Sequence, residues 1–233
     1  MPVARICFVK PLVRLLLAAP LFLAAAALAA PAPPPADDGL VPIFNGTDLT
    51  GWVVEGAASS KSKKDAKAEP IWSVRDGIIR CTGQGFGFIR YDKKVADFVF
   101  EVECRMGPRA NSGIGIRGIK FTGPAKTRPS FAAYEIQLLD DAGKPATKGS
   151  TGSLYRYVAP TLNATKPAGQ WNRIRIECRG PRIRVTLNAK TVQDLDQTTV
   201  PEIKDKPLSG YIMLQSHSRP VDFRNPRLKV LKP

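Results

Sequence analysis

Three separated stretches of the sequence alternate polar with apolar side chains, and their polar residues are of types that exchange protons and bind hydroxyl groups. They are Asn111-Ser112-Gly113-Ile114-Gly115-Ile116-Arg117, Tyr134-Glu135-Ile136-Gln137-Leu138-Leu139-Asp140 and Tyr211-Ile212-Met213-Leu214-Gln215-Ser216-His217. In a strand, residues two apart share a face. One face therefore collects Asn111, Arg117, Glu135, Gln137, Gln215 and His217. Ser112, Ile114, Ile116, Ile136, Leu138, Ile212 and Leu214 take the other. Amides hydrogen-bond hydroxyls, an imidazole titrates near neutral pH, and a guanidinium can hold a developing oxyanion. Such a surface on an apolar backing suits a carbohydrate-processing cleft, although a half-solvated antiparallel sheet gives the same alternation. His217 is the only histidine. Asp140 lies five residues from Glu135, so only a bulge would bring both to one face.

The elements that position these residues read as strands. Beyond residue 40 helical periodicity is almost absent, and short alternating runs bounded by Gly, Pro, Asn and Asp dominate. Residues 98–106 are the clearest run, with Phe98, Phe100, Val102, Cys104 and Met106 inward and Glu101, Glu103 and Arg105 outward. Residues 71–81 suggest a hairpin turning at Arg75-Asp76, and 171–178 pairs with 182–187 across Gly180-Pro181. Further strands are expected at 88–91, 191–195, 210–217 and 221–230. Trp171, after a Pro-x-Gly turn, is expected in the core. Residues 57–70, rich in Lys, Ser and Ala, read as a mobile surface loop. The pattern predicts an all-β fold, two antiparallel sheets packed as a β-sandwich or jelly roll. Gly83-Gln84-Gly85-Phe86-Gly87 precedes a strand rather than opening a helix, so it is a weak nucleotide-binding signal.

The 233 residues do not all belong to that domain. Arg5, Lys10 and Arg14 are followed by an uncharged run to Ala30, with Ala27-Leu28-Ala29 as a small-x-small cleavage site. Residues 1–29 therefore read as a signal peptide, 30–39 as a Pro/Ala-rich linker and 40–233 as the folded domain. The run falls short of the roughly twenty residues of a membrane span. The mature chain has no integral membrane segment, and its expected location is periplasmic or secreted. A formal charge of +15 falls by three with the leader. Arg173, Arg175, Arg179, Arg182 and Arg184 have Glu177 among them and no interleaved aromatics, so they read as a solvated face and not a nucleic-acid site. Cys7 leaves with the leader. Cys81, Cys104 and Cys178 remain, buried by default, with a Cys104–Cys178 bridge open in an oxidising compartment.

Seven ordered motifs resemble the 3-keto-disaccharide hydrolase-like domain family. They are Leu40-Val41-Pro42-Ile43-Phe44-Asn45-Gly46-Thr47-Asp48-Leu49-Thr50-Gly51-Trp52, Phe100-Glu101-Val102-Glu103, Asn111-Ser112-Gly113-Ile114, the Tyr134–Asp140 block, Gly152-Ser153-Leu154-Tyr155, Lys166-Pro167-Ala168-Gly169-Gln170-Trp171-Asn172, and Leu214-Gln215-Ser216-His217 with Val221-Asp222-Phe223-Arg224-Asn225. The resemblance runs from about Leu40 to Lys232. It implies a concanavalin A-like jelly roll, bacterial export, and action on sugars whose third hydroxyl has been oxidised to a ketone. Typical members read Leu-Gln-Asp-His-Gly where this chain has Ser216 and Ser218. If that aspartate orients the histidine or holds a metal, the copy is altered there.

A ketone at C3 acidifies the hydrogen at C2. Elimination at C1 followed by hydration then cleaves the glycosidic bond. The route needs a base, a donor for the enolate oxygen and an acid for the leaving oxygen. His217 and Glu135 are the catalytic candidates. Arg117 is expected at the enolate. Asn111, Gln137, Gln215, Asp140 and Tyr155 are expected to bind an oligosaccharide or glycoside substrate. A divalent metal could take the donor's place. Two other readings remain. In an endo-β-glucanase Glu135-x-Gln137-x-x-Asp140 would stand in for an acidic strand, and a non-catalytic carbohydrate-binding module would use the same fold.

Overall fold

Alternating side chains carry the chain into thirteen strands in a computed structural model that describes Met1 and residues 38–57 and 70–232. Apart from Met1, the expected leader lies outside the described residues, as do most of the linker and of the 57–70 loop. The first strands are β1 (Val41–Pro42), β2 (Trp52–Gly56), β3 (Trp72–Arg75), β4 (Ile78–Cys81), β5 (Gly87–Tyr91), β6 (Phe98–Met106) and β7 (Asn111–Gly118). A single helical turn, α1 (Pro129–Ala132), precedes β8 (Tyr134–Leu139). Then come β9 (Trp171–Arg179), β10 (Arg182–Leu187), β11 (Lys190–Asp196), β12 (Tyr211–Ser216) and β13 (Val221–Val230).

The strands form two antiparallel sheets in a jelly-roll sandwich. The larger runs β11-β10-β9-β6-β13-β4-β3 with β1 on β13, and the smaller runs β2-β5-β12-β7-β8. The three polar-faced stretches are thus neighbours, with β7 between β12 and β8. Their apolar sides, Ile114, Ile116, Ile136, Leu138, Ile212 and Leu214, are fully buried in one cluster with Phe98, Phe100 and Ile176 of the larger sheet. Burying each such side chain contributes about 1.5–3 kcal/mol. This apolar layer fixes the register, because a one-residue slip would turn it to solvent.

Two site candidates end up elsewhere. Between Tyr211↔Gly118 and Met213↔Gly115, β7 carries one residue more than β12, and Arg117 takes a left-handed φ of 53°. This bulge breaks the period-two alternation. The Arg117 side chain is fully buried, donates to the Ala96 and Gly180 carbonyls at 3.2 and 2.8 Å, and pairs with Asp97 at 3.5 Å. Asp140 follows the end of β8, whose register on β7 is unbroken from Asn111↔Leu139 to Ile116↔Tyr134. Its carboxylate accepts the Arg109 N–H at 2.8 Å and anchors the turn before β7.

The bridge between Cys104 and Cys178 does not form, and all three described cysteines are free and buried. Cys104 lies opposite Asn172 and Cys178 opposite Phe98 on the β6–β9 ladder. Six residues of strand separate them, roughly 20 Å at about 3.4 Å each, far beyond the span of about 7 Å that a disulfide tolerates. Burial pushes both thiols up to about 12.

Candidate functional site

Two glycines shape the polar face of the smaller sheet. A Cβ on Gly113 would lie 2.6 Å from Glu135 Oε1, and one on Gly115 would lie 2.6 Å from Pro129 Cγ. The bare backbone of β7 therefore gives the Glu135 side chain room to lie across the strand and lets α1 close over it. Pro129 starts that turn, where its missing N–H costs nothing. On its other side β8 would expose a free edge. The segment around Gly152-Ser153-Leu154-Tyr155 covers it: Gln137 N–H donates to Ser153 O at 3.1 Å, Gly152 N–H to Gln137 O at 2.9 Å and Tyr155 N–H to Glu135 O at 2.9 Å.

These elements enclose a cavity of about 200 Å³. Its buried end is polar, formed by Glu135, Gln137 and Gln215 with Asn111 beside them. His217 and Phe86 line one part of the opening, and Phe131 and Tyr155 another, with the buried Ser130 and with Arg128 and Arg156 completing the lining. Glu135 and His217, eighty-two positions apart in sequence, share this space with Asn111, Gln137, Gln215 and Tyr155. Arg117 and Asp140 do not line it.

The charges are arranged unusually. Glu135 is 4% exposed and accepts from a neutral side chain, Gln215 Nε2, at 3.0 Å. Burial pushes its carboxyl up to about 7, against the downward pull of Gln215, Ser130, Arg128 and Arg156. His217 sits at the rim, its ring edge-on to Phe86 with centroids 5.6 Å apart. Partial desolvation, then the Arg128 charge, lowers its pKa below the usual 6.5. The two candidate proton carriers are therefore shifted in opposite directions, toward neutral forms. Gln215 Oε1 and Arg128 Nε are buried without a hydrogen-bond partner, leaving one acceptor and one donor for a ligand. The Arg128 guanidinium lies 4.2 Å from the Phe86 ring centroid and that of Arg156 4.1 Å from Phe131.

Ser216 points away from this face. It is fully buried, and its hydroxyl donates to Gly85 O at 2.6 Å. Residue 216 is one step out of phase with Gln215 and His217, so the serine in the Gln-Ser-His motif does not line the cavity. Ser218 pairs with Asn111 through the backbone. The donor set does not fit the divalent metal allowed for by the sequence. Among the described residues no three of His, Cys, Asp and Glu come together. One carboxylate and one imidazole share the cavity with two guanidiniums, which would repel a divalent cation.

Sequence reasoning missed Arg128, Arg156, Phe86, Phe131 and Ser130. Phe86, Arg128 and Arg156 come from irregular segments and Ser130 and Phe131 from the single turn of α1, too short for any periodicity to report a face. The only local signals are Arg128-Pro129, a helix-start pattern, and the Gly152 motif that brings Arg156 with it.

Comparison with known proteins agrees with this architecture. A family model described as a 3-keto-alpha-glucoside-1,2-lyase-like domain matches residues 39–229. A 3-keto-disaccharide hydrolase of Bacteroides thetaiotaomicron is 27% identical, over 83% of this chain and 79% of that protein. A crystal structure from Parabacteroides distasonis, provisionally described as a glycosyl hydrolase, superposes with a TM-score of 0.65 at 23% identity, covering 82% of this chain and 93% of the other. A second from that organism, described in the same way, reaches a TM-score of 0.59 at 28% identity, covering 83% and 84%.

Proposed function

The chain belongs to the 3-keto-alpha-glucoside-1,2-lyase-like domain family, and from that premise we propose that it is an exported enzyme cleaving the glycosidic bond of 3-keto-glycosides. The observation that carries this reading is the meeting of Glu135 and His217 in one cavity. The named relative, a 3-keto-disaccharide hydrolase, supports the substrate class. The leader-like first 29 residues support export to the periplasm or beyond.

The shifted proton affinities support a division of roles. Neutral His217 takes the proton from C2, and the C–H electron pair moves onto the C3 oxygen as an enolate. The unpartnered Arg128 Nε supplies a donor to that oxygen, the role expected of Arg117 from sequence. As the enolate collapses, the C1–oxygen bond breaks and protonated Glu135 gives its proton to the leaving oxygen. Water then adds across the unsaturated bond. Its hydroxide goes to C1 and its proton to Glu135, while the His217 imidazolium returns a proton to C2. Both groups end as they began, and the net change is hydrolysis. Asn111, Gln137, Gln215 and Tyr155 hold the sugar hydroxyls, with the free Gln215 Oε1 accepting from one of them.

Two other readings fit less well. An endo-β-glucanase needs a second carboxylate, and among the described residues Glu135 is the only one lining the cavity. A carbohydrate-binding module has no use for a carboxyl held near pH 7. The test is incubation of the purified chain with a 3-keto-glucoside, with and without a chelator. Cleavage is expected in both, and its loss in His217→Ala. Full activity of that variant would reject the base. Saturable binding without product, unchanged in Glu135→Ala and His217→Ala, would select a binding module.

A further inference from the structure

Arginines in this fold are mostly matched to carboxylates. Arg90 pairs with Glu55 and Asp92, Arg105 with Asp222, Arg224 with Glu103, and Arg182 and Arg184 with Asp194. Arg128 and Arg156 depart from the pattern. Among the described residues neither has an ion pair, both line the cavity, and each stacks on a phenylalanine. Arg156 is also held in the left-handed region, φ 76°, by its N–H bond to Lys148 O. Phe131, beneath its guanidinium, is 44% exposed.

A third cation stands close by. Lys206 Nζ donates to the carbonyls of Phe131 and Ala133, each at 2.7 Å, and lies 4.7 Å from the Tyr157 ring centroid. Burial, then the charge of Arg156, pushes its pKa down to about 8. Among the described residues one carboxyl, Glu135, lines the cavity with Arg128 and Arg156. The enolate needs one guanidinium, and Arg128 supplies it through its buried Nε. Arg156 at the rim is left over. A guanidinium fork without a protein partner matches a planar carboxylate better than a hydroxyl.

We propose that the natural substrate of this cavity is an acidic glycoside, whose carboxylate is bound by Arg156 at the rim beside Phe131. This deepens the reading of a 3-keto-glycoside-cleaving site and rests on it. The carboxylate sits either on the sugar, as in a uronide, or on the aglycone. The formal charge of +15 less the three of Arg5, Lys10 and Arg14, or +12 once the leader is gone, would steer either toward the site.

The test compares kcat/KM of the purified full chain on two matched pairs at neutral pH. One pair is the 4-carboxyphenyl and 4-carbamoylphenyl 3-keto-glucosides, and the other a 3-keto-glucuronide and its methyl ester. In one pair the acid is expected to be preferred by roughly tenfold, the scale of one charge-assisted hydrogen bond, and that pair locates the carboxylate. Arg156→Gln should bring the ratio close to one, and Arg156→Lys should leave it in between. Parity or preference for the neutral partner in both pairs overturns the proposal, as does a preference that survives Arg156→Gln. If no 3-keto-glycoside reacts, the reaction itself is refuted separately. Calorimetric binding of the unoxidised acid and neutral partners then reads the same ratio, with the same outcomes for and against.

Discussion

Glu101, on the outer face of the larger sheet, and Glu135, in the cavity of the smaller, are both only 4% exposed. Their surroundings are opposite. Glu101 is met by Arg173 at 2.8 Å, by Arg227 and, at 3.7 Å, by Arg175. Glu135 meets a neutral amide, while the guanidiniums nearest to it stack on phenylalanines. The outer face belongs to a lattice of ion pairs that extends to Arg105–Asp222 and Arg224–Glu103, with Trp171 between Arg105 and Arg224 at 4.7 and 4.1 Å. Burial with charge partners makes a strut. Burial without them makes a carboxyl whose proton is available near neutral pH.

Activity should separate the two acids most. Glu135→Gln is expected to lower kcat on a 3-keto-glucoside by about a thousandfold, the scale of general acid–base catalysis. Glu101→Gln should leave kcat within about twofold, because it touches nothing in the cavity. Equal losses in steady-state assays would break the comparison. Stability should separate them with opposite signs. Glu135 has a folded pKa of about 7, above the unreacted carboxyl value of 4.5. Its contribution is fully present below about pH 4.5 and is lost as pH rises through about 7. Glu135→Gln does not titrate, so denaturant unfolding should show the variant gaining about 3 kcal/mol on the wild type between pH 4.5 and 8. Glu101→Gln should cost about 2 kcal/mol at pH 8, since it strips partners from guanidiniums that still reach water. The smallest effect sharpens the geometry. The Cβ of Gly113→Ala meets Glu135 Oε1 at 2.6 Å and Cγ at 2.8 Å. Shifting that carboxyl should lower kcat roughly tenfold with the fold intact.

Much of this was legible because alternation survives wherever a ladder is unbroken. Strand β6 occupies 98–106 as its pattern indicates, and the β9–β10 hairpin turns at Gly180-Pro181. Asn111, Glu135, Gln137, Gln215 and His217 share a cavity because β12, β7 and β8 are adjacent and, beyond the bulge at Arg117, in register. Arg117 was misplaced because a single inserted residue with positive φ reverses a side chain without changing composition. Trp171 alternates with Arg173 and Arg175 on the outer face. Guanidiniums on both sides shelter its ring, where the sequence suggested core. Arg128 and Arg156 were invisible for a different reason: loops that dock on a sheet edge bring in residues that no period marks.

Glu135 and His217 share one cavity with opposite proton shifts, and the pH dependence of kcat/KM on a 3-keto-glucoside reads them together. The predicted profile is a bell. Its acid limb lies below pH 6.5, as His217 loses its proton, and its alkaline limb lies near pH 7, as Glu135 loses its own. A rate that keeps climbing to about pH 9, or stays level through this range, would contradict it.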